Sequence, residues 1–231
     1  MWVELYSAAK EWGRTGADLL FPPAAIDPEL PGTRRVAAPF CRQCGEPFPG
    51  VFPGPFLCAN CQEREWSLAW ARAAYRAEGT VRDAILHFKY GGQSHYLSPL
   101  TDWLEDGFRR FAAGENWDGL VPVPLHPLRR RERGFNQAAE LARALGRRQG
   151  IPVLPCLKRA RPTVQQARLS RGPRLRNLLG AFQVNARFDV EGRHLLLIDD
   201  VLTTGATAEA CARILLAAGA ARVAALTIAR A

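Results

Sequence analysis

No stretch of this sequence approaches the roughly 20 consecutive apolar residues that a membrane-spanning helix needs. The opening Met1-Trp2-Val3-Glu4-Leu5 carries an acid where a secretory leader would carry a basic segment. The expectation is a cytoplasmic protein without a membrane span. Cysteine is sparse and clustered: there are six in 231 residues, four of them in two Cys-x-x-Cys units. That is too few for a disulfide scaffold in a chain this long and favours metal in a reducing compartment. Neither a Ser-His nor a Cys-His pairing for nucleophilic catalysis is recognisable. Lysine is nearly absent, three against 28 arginines, which by itself reads as codon bias.

What is present is charge with a strongly local distribution. The net charge is +9. From Arg129 to Arg148 there are seven Arg and two Glu, and from Lys158 to Arg176 seven basic residues and no acid. These two stretches exceed the whole net charge, so the remainder of the chain is slightly acidic and the basic stretches are where an anion would sit. Residues 158–177 contain no aromatic residue, and Phe135 is the only one from 129 to 148. Single-stranded nucleic acid is held by stacking as well as charge, so this composition tilts the basic segments toward phosphate or pyrophosphate and leaves any DNA contact mostly electrostatic.

The chain is organised around Leu195-Leu196-Leu197-Ile198-Asp199-Asp200-Val201-Leu202-Thr203-Thr204-Gly205-Ala206-Thr207. Four apolar residues without polar alternation read as a strand buried on both faces. The expected order is strand, terminal acidic pair, hydroxyl-rich loop, then a helix over Ala208 to Leu216 with Thr207 as N-cap. A loop and helix start of this kind offer N–H groups and a favourable dipole to a phosphate. Gly205 permits close approach, Thr203, Thr204 and Thr207 can donate to phosphate oxygens, and Asp199 and Asp200 can accept from a pair of ribose hydroxyls. A Mg²⁺ site on the two acids is the alternative.

Elsewhere, Trp2, Leu5, Tyr6, Ala9 and Trp12 have helical spacing, and Pro is frequent from Phe21 to Gly54. Cys41, Cys44, Cys58 and Cys61, the two pairs thirteen residues apart, suit a closed tetrahedral structural metal site, with zinc expected and iron–sulfur or redox thiols as alternatives. Cys156 and Cys211 read as buried thiols. The pattern is helical from Trp66 until Tyr75–Gly79 interrupts it, and again over Val81–Tyr90 and Tyr96–Ala113, with Lys89 at a helix C-terminus where the dipole favours a cation and a plain solvated lysine as the alternative. Leu120–Pro124 is a strand leading into a Pro-stiffened loop that runs through Arg129–Arg133. Ala138–Arg148 is a helix, Ile151–Leu154 a strand, 158–177 a long basic segment suited to a lid, Ala181–Val184 an edge strand and Arg222–Ile228 the last strand. Strand-helix-strand units imply an α/β fold with a parallel sheet.

The thirteen-residue run resembles the phosphoribosyl pyrophosphate (PRPP) signature of type I phosphoribosyltransferases. With the four-Cys ribbon, Lys89-Tyr90-Gly91, Pro122-Val123-Pro124-Leu125, Arg133-Gly134-Phe135-Asn136-Gln137, Gln166 with Leu169, and Arg176-Asn177 in this order, residues 36 to 231 resemble the ComF family. The helical spacing and the prolines give a helix and linker over 1–35, and the resemblance implies a zinc ribbon over 36–65 and a type I phosphoribosyltransferase-like domain over 66–231. It also implies a link to natural competence and the handling of incoming DNA. It assigns the ribose hydroxyls to Asp199 and Asp200 and the 5′-phosphate to Thr203, Thr204, Gly205, Ala206 and Thr207. Pyrophosphate falls to the loop with Val123, Pro124 and Leu125, while Arg133, Gln166 and Arg168 are further ligand-binding candidates and 158–177 the closing loop. Structural Zn²⁺ and Mg²⁺ with PRPP are the implied cofactors; PRPP or a phosphoribosyl nucleotide, single-stranded DNA and DNA-processing proteins are the implied partners. Two readings stay open: a transferase of phosphoribose to a base or amine, and a DNA- or partner-binding protein that uses the fold without catalysis.

Overall fold

Successive residues of a strand face opposite sides, and in Leu195-Leu196-Leu197-Ile198 both sides are buried. Leu195 and Leu197 join one apolar cluster, Leu196 and Ile198 another. This sandwiching explains the unbroken apolar run. The structure, a computed structural model, describes residues 32–51, 54–90, 94–159 and 181–231. The helix expected over residues 1–20, Gln166, Arg168 and all of the basic segment beyond Arg159 lie outside the described residues.

The elements are α1 (Ala59–Gln62), β1 (Ala71–Arg76), α2 (Gly79–Tyr90), α3 (Leu97–Phe111), β2 (Gly119–Pro122), α4 (Pro127–Arg133), α5 (Gln137–Gln149), β3 (Leu157–Arg159), β4 (Phe182–Val184), β5 (His194–Leu202), α6 (Ala206–Ala217) and β6 (Arg222–Arg230). The main sheet runs β1-β6-β5-β2 with every pairing parallel. α6 and the antiparallel β3–β4 pair cover one face; α2, α3 and α5 cover the other. This is the expected α/β layering. Among the described residues no helix is long and apolar enough to cross a membrane.

Several local expectations need correction. The segment after Trp66 is a strand, β1, not a helix. Its Ala-rich sequence favours helix locally, but small side chains are what the packing requires. A Cβ added at Gly107 of α3 would stand 2.9 Å from the Ala74 Cβ, so helix and strand are in close contact here. β1 is an edge strand, and Arg34 to Val36 run along its outer side through Val36 N–H to the Ala74 carbonyl and Arg76 N–H to the Arg34 carbonyl. Ile151–Leu154 forms only a single bridge, Val153 to Leu120. Arg129–Arg133 belong to helix α4, not a loop: Pro127 opens it, His126 Nδ1 caps it by accepting from Leu128 N–H, and Gly134 closes it in the left-handed region. β5 does not end at the acidic pair; it runs on to Leu202 because β6 continues to pair with it as far as Arg230.

Leu120 of β2 faces β5 on one side and Val153 on the other. The chain therefore leaves β2 in one direction and β5 in the opposite one, toward β6. Such a reversal opens a crevice at the carboxyl ends of the two strands, where open α/β sheets bind ligands.

Candidate functional site

A cleft of about 620 Å³ lies at that reversal, lined by Asp199 and Asp200 of β5, Val123 to His126 after β2, Arg129 and Arg133 of α4, Lys89 and Tyr90 of α2, and Thr207. A small void of about 40 Å³ adjoins it behind Thr203, Gly205 and Ala206. Val123, Asp199 and Thr207 line both. The residues expected to hold a diol and those expected to hold a phosphate thus open onto adjoining space.

The loop after β5 is shaped by Gly205, whose φ of 73° is the left-handed conformation that L side chains avoid. A Cβ there would also meet the Trp66 ring at 2.7 Å. α6 begins at Ala206 with Gly205 as N-cap and no side-chain cap bond. Thr207 is therefore not the N-cap; it is the second helical residue and faces the cleft. Thr204 takes the local role instead, its hydroxyl accepting from Ala206 N–H at 3.4 Å. With the Ala206 N–H turned to Thr204, the next N–H groups of the first turn have no capping side chain and are available to an anion.

Asp199 Oδ1 accepts from the Asp200 N–H at 2.9 Å, and Asp200 Oδ1 pairs with Lys89 Nζ at 2.9 Å. Lys89 is not solvated: its side chain is 17% exposed and that of Asp200 13%. Burial first, and then the Asp200 charge, push Asp199 up to about 7, while the Asp200 N–H, Lys89 and Arg159 pull the other way. The folded protein thus holds a proton on Asp199 more tightly than the unfolded chain does, and this residue's contribution to stability falls as pH rises from about 4 through about 7. Asp199→Asn is expected to melt at or above wild type at pH 8, with the gap closing toward pH 5. Melts at the two pH values test this; a variant far less stable than wild type at pH 8 would make the carboxylate structural.

The Arg133–Gln137 element acts largely as scaffolding. Arg133 donates to Tyr90 Oη at 3.0 Å and to Gln137 Oε1 at 3.1 Å, with its guanidinium 4.8 Å from the Tyr90 ring centre. Phe135 packs edge-on against Phe88 at 5.1 Å. Asn136 caps α5 by accepting from Ala138 N–H and donates to the Val123 carbonyl at 3.1 Å, tying the loop after β2 to the helix. Gln137 is buried and its Nε2, like Arg133 Nε, has no partner among the described residues. Both residues line the cleft, and these two nitrogens are buried behind its wall.

Cys41, Cys44, Cys58 and Cys61 converge with all four sulfurs within 4.8 Å of one another. Cys44 and Cys58 Sγ are 3.7 Å apart, against about 3.8 Å for the edge of a tetrahedron with ~2.3 Å metal–sulfur bonds. The donor set and spacing fit a structural zinc ion, with no fifth ligand converging among the described residues. Burial raises Cys44 to about 11, and at Cys41 it is outweighed by backbone donors from Cys44, Cys58 and Gln43, leaving about 7. Cys156 and Cys211 are fully buried away from this cluster, as expected.

Sequence reasoning quoted Lys89, Tyr90, Asn136 and Gln137 only as parts of the resemblance and Arg159 only within the closing loop, without assigning any of them to the site; all five line the cleft. One signal existed for Lys89: a lysine kept in a chain with 28 arginines and only two other lysines.

A profile of the phosphoribosyl transferase domain matches residues 127–231. The chain is 32% identical over 200 residues to the DNA utilization protein YhgH of Escherichia coli (strain K12), covering 82% of this chain and 83% of that protein. It is 30% identical over 184 residues to competence protein F of Haemophilus influenzae, with 77% and 78% covered. With competence protein ComFC of Bacillus subtilis it shares 27% identity over 205 residues, 85% and 80% of the two chains. Among solved structures, the B. subtilis glutamine PRPP amidotransferase complexed with ADP and GMP overlaps 61% of this chain and 30% of its own, at 18% identity and a TM-score of 0.41. That overlap is too loose to assign any residue.

Proposed function

This chain belongs to the YhgH/ComF family, with a type I phosphoribosyltransferase-like fold, and from that premise we propose that its cleft binds PRPP or a related phosphoribosyl ligand in the service of DNA uptake. The observation that supports this most is the junction at Thr207, where the space beside the acidic pair meets the pocket behind the uncapped start of α6. Asp199 and Asp200 accept from the ribose hydroxyls, and Thr203, Thr204 and the first-turn N–H groups hold the 5′-phosphate. The loop of Val123, Pro124 and Leu125, with Arg133 and Gln137 beside it, faces the pyrophosphate. Mg²⁺, whose preference is for hard oxygen ligands, comes with the pyrophosphate and neutralises its charge. Departure of pyrophosphate from C1 leaves positive charge on the ring, so what the protein supplies is orientation, donors to the leaving group and exclusion of water.

Calorimetric titration with PRPP and Mg²⁺, followed by a pyrophosphate-release assay with a panel of bases and amines, tests binding and turnover separately. Asp199→Asn and Asp200→Asn each lose a charge-assisted hydrogen bond, about 1.5–3 kcal/mol, and should weaken binding by roughly ten- to hundredfold. Binding unchanged in both variants rejects the reading.

A second groove of about 630 Å³, which shares Pro124 and Leu125 with the first, is lined by Arg130, Lys158, Arg159 and Arg143, the last paired with Glu140. It favours a DNA-handling role for the same protein, with or without turnover. Phosphate contacts there predict affinity for single-stranded DNA that falls steeply with salt and varies little with sequence. Fluorescence anisotropy over a salt series checks this; binding that persists at high salt or follows one sequence contradicts it.

A further inference from the structure

The phosphoribosyl reading leaves Lys89 without a role, although it makes an ion pair with Asp200 of the acidic pair. It also lies outside the stretch matched by the phosphoribosyl transferase domain, residues 127–231. Its position is over-determined. Lys89 sits in the last turn of α2, where the helix dipole favours a cation. The residue before it, Phe88, is buried against Phe135, and the residue after it, Tyr90, is held by Arg133. Its two neighbours thus anchor the end of α2 to the Arg133–Gln137 element, and its own Nζ reaches Asp200 Oδ1 at 2.9 Å. With Asp200 mostly buried, an ion pair of this kind is costly to break by removing one partner.

Two adjacent carboxylates that must receive a ligand carrying a phosphate dianion face a Coulombic problem. In a mostly buried site the repulsion is weakly screened, and a divalent cation on the carboxylates is one solution. We propose that this chain solves it internally: Lys89 is a positioning residue that acts as the resident counter-cation of the diol-binding pair, holding the place at Asp200 that a divalent ion would otherwise take. The inference rests on the phosphoribosyl reading and narrows it, since the carboxylates then need no metal and Mg²⁺ is required only for a pyrophosphate.

Ribose 5-phosphate, which has the diol and the phosphate but no pyrophosphate, separates the two roles. Wild type is expected to bind it equally, within about twofold, in chelator and in millimolar Mg²⁺. Lys89→Met should bind at least about tenfold more weakly in chelator, the loss of one charged partner, and recover when Mg²⁺ is added. Lys89→Arg keeps the charge and should retain metal-independent binding; thermal melts establish that each variant is folded. Wild-type affinity that rises with Mg²⁺ as steeply as that of Lys89→Met overturns the proposal. So does Lys89→Met binding like wild type, or a folded Lys89→Arg that behaves like Lys89→Met. If wild type binds neither ribose 5-phosphate nor PRPP with Mg²⁺, the phosphoribosyl reading fails and this inference falls with it. If wild type binds both and only the metal pattern differs, the inference alone falls.

Discussion

Replacing Cys58 and Cys61 together by Ser is expected to release bound zinc, unfold the ribbon and lower the melting temperature of the whole chain by roughly 6–20 °C. The ribbon has little apolar material of its own. Its described cluster consists of Cys41, Cys44 and Cys61, with Phe56, Leu57, Cys58 and Trp66 packed against them. A metal ion at the centre of that cluster would supply what a small core cannot: structural zinc contributes about 10–16 kcal/mol of apparent binding energy in isolated fingers, most of it as folding energy. The loss reaches the sheet because the ribbon is bonded to it. Ala71 N–H donates to the Gln43 carbonyl at 2.8 Å, Gln43 Nε2 to the Leu68 carbonyl at 2.6 Å, and Arg72 Nη2 to the Arg42 carbonyl at 2.9 Å.

Arg230, 5% exposed at the end of β6, donates to the Cys44 carbonyl and pairs with Glu46. With the ribbon unfolded, this buried guanidinium loses both acceptors, a change on the order of 3–5 kcal/mol, and at about 2–4 °C per kcal/mol for a chain of this size the melting shift follows. Elemental analysis should return one zinc per wild-type chain and none in the variant. Zinc retained by the variant, or melting unchanged, would remove the ribbon from the account.

What the sequence disclosed and what it hid divide along a physical line. β5, α5 and β6 were legible because burial on one or both faces imposes a periodicity that the residues themselves carry. The four cysteines were legible because metal geometry dictates their spacing. β1 was not, because Ala71, Ala73 and Ala74 are there to admit neighbours, and small residues say nothing about the element they belong to. The N-cap assignment failed at Thr207 because a glycine in the left-handed region can start a helix without a side-chain cap, so the helix began two residues earlier. The Lys89–Asp200 pair spans 111 positions and has no local signature. A tertiary partner of that kind becomes visible only when α2 is seen ending at the mouth of the cleft.

Glu209→Ala is expected to destabilise the protein by about 3–5 kcal/mol, a melting shift of roughly 6–20 °C, and to weaken phosphate binding along with it. Glu209 lies in the first turn of α6 and is 1% exposed. Its carboxylate accepts from the backbone N–H of Ser67 at 3.0 Å and of Leu68 at 3.2 Å, and from Arg213 Nε at 2.8 Å. Nearly all of its hydrogen-bonding capacity is thereby used, which is how a buried carboxylate is tolerated. Removing it strands two backbone donors, one of them on the buried Leu68, at about 1–3 kcal/mol each; Arg213 is partly exposed and can turn to water. The same bonds hold the segment that carries Trp66, whose ring lies against Gly205. Freeing that segment removes the wall behind the phosphate loop, so the loop's donors lose their preset positions and a ligand must order them on binding. Glu209→Gln keeps one acceptor oxygen and should recover part of both losses. Thermal melts of the two variants beside calorimetric titration with ribose 5-phosphate make the comparison. A Glu209→Ala protein that melts lower yet binds with wild-type affinity would show that the Ser67–Leu68 anchor stabilises the fold without shaping the phosphate loop.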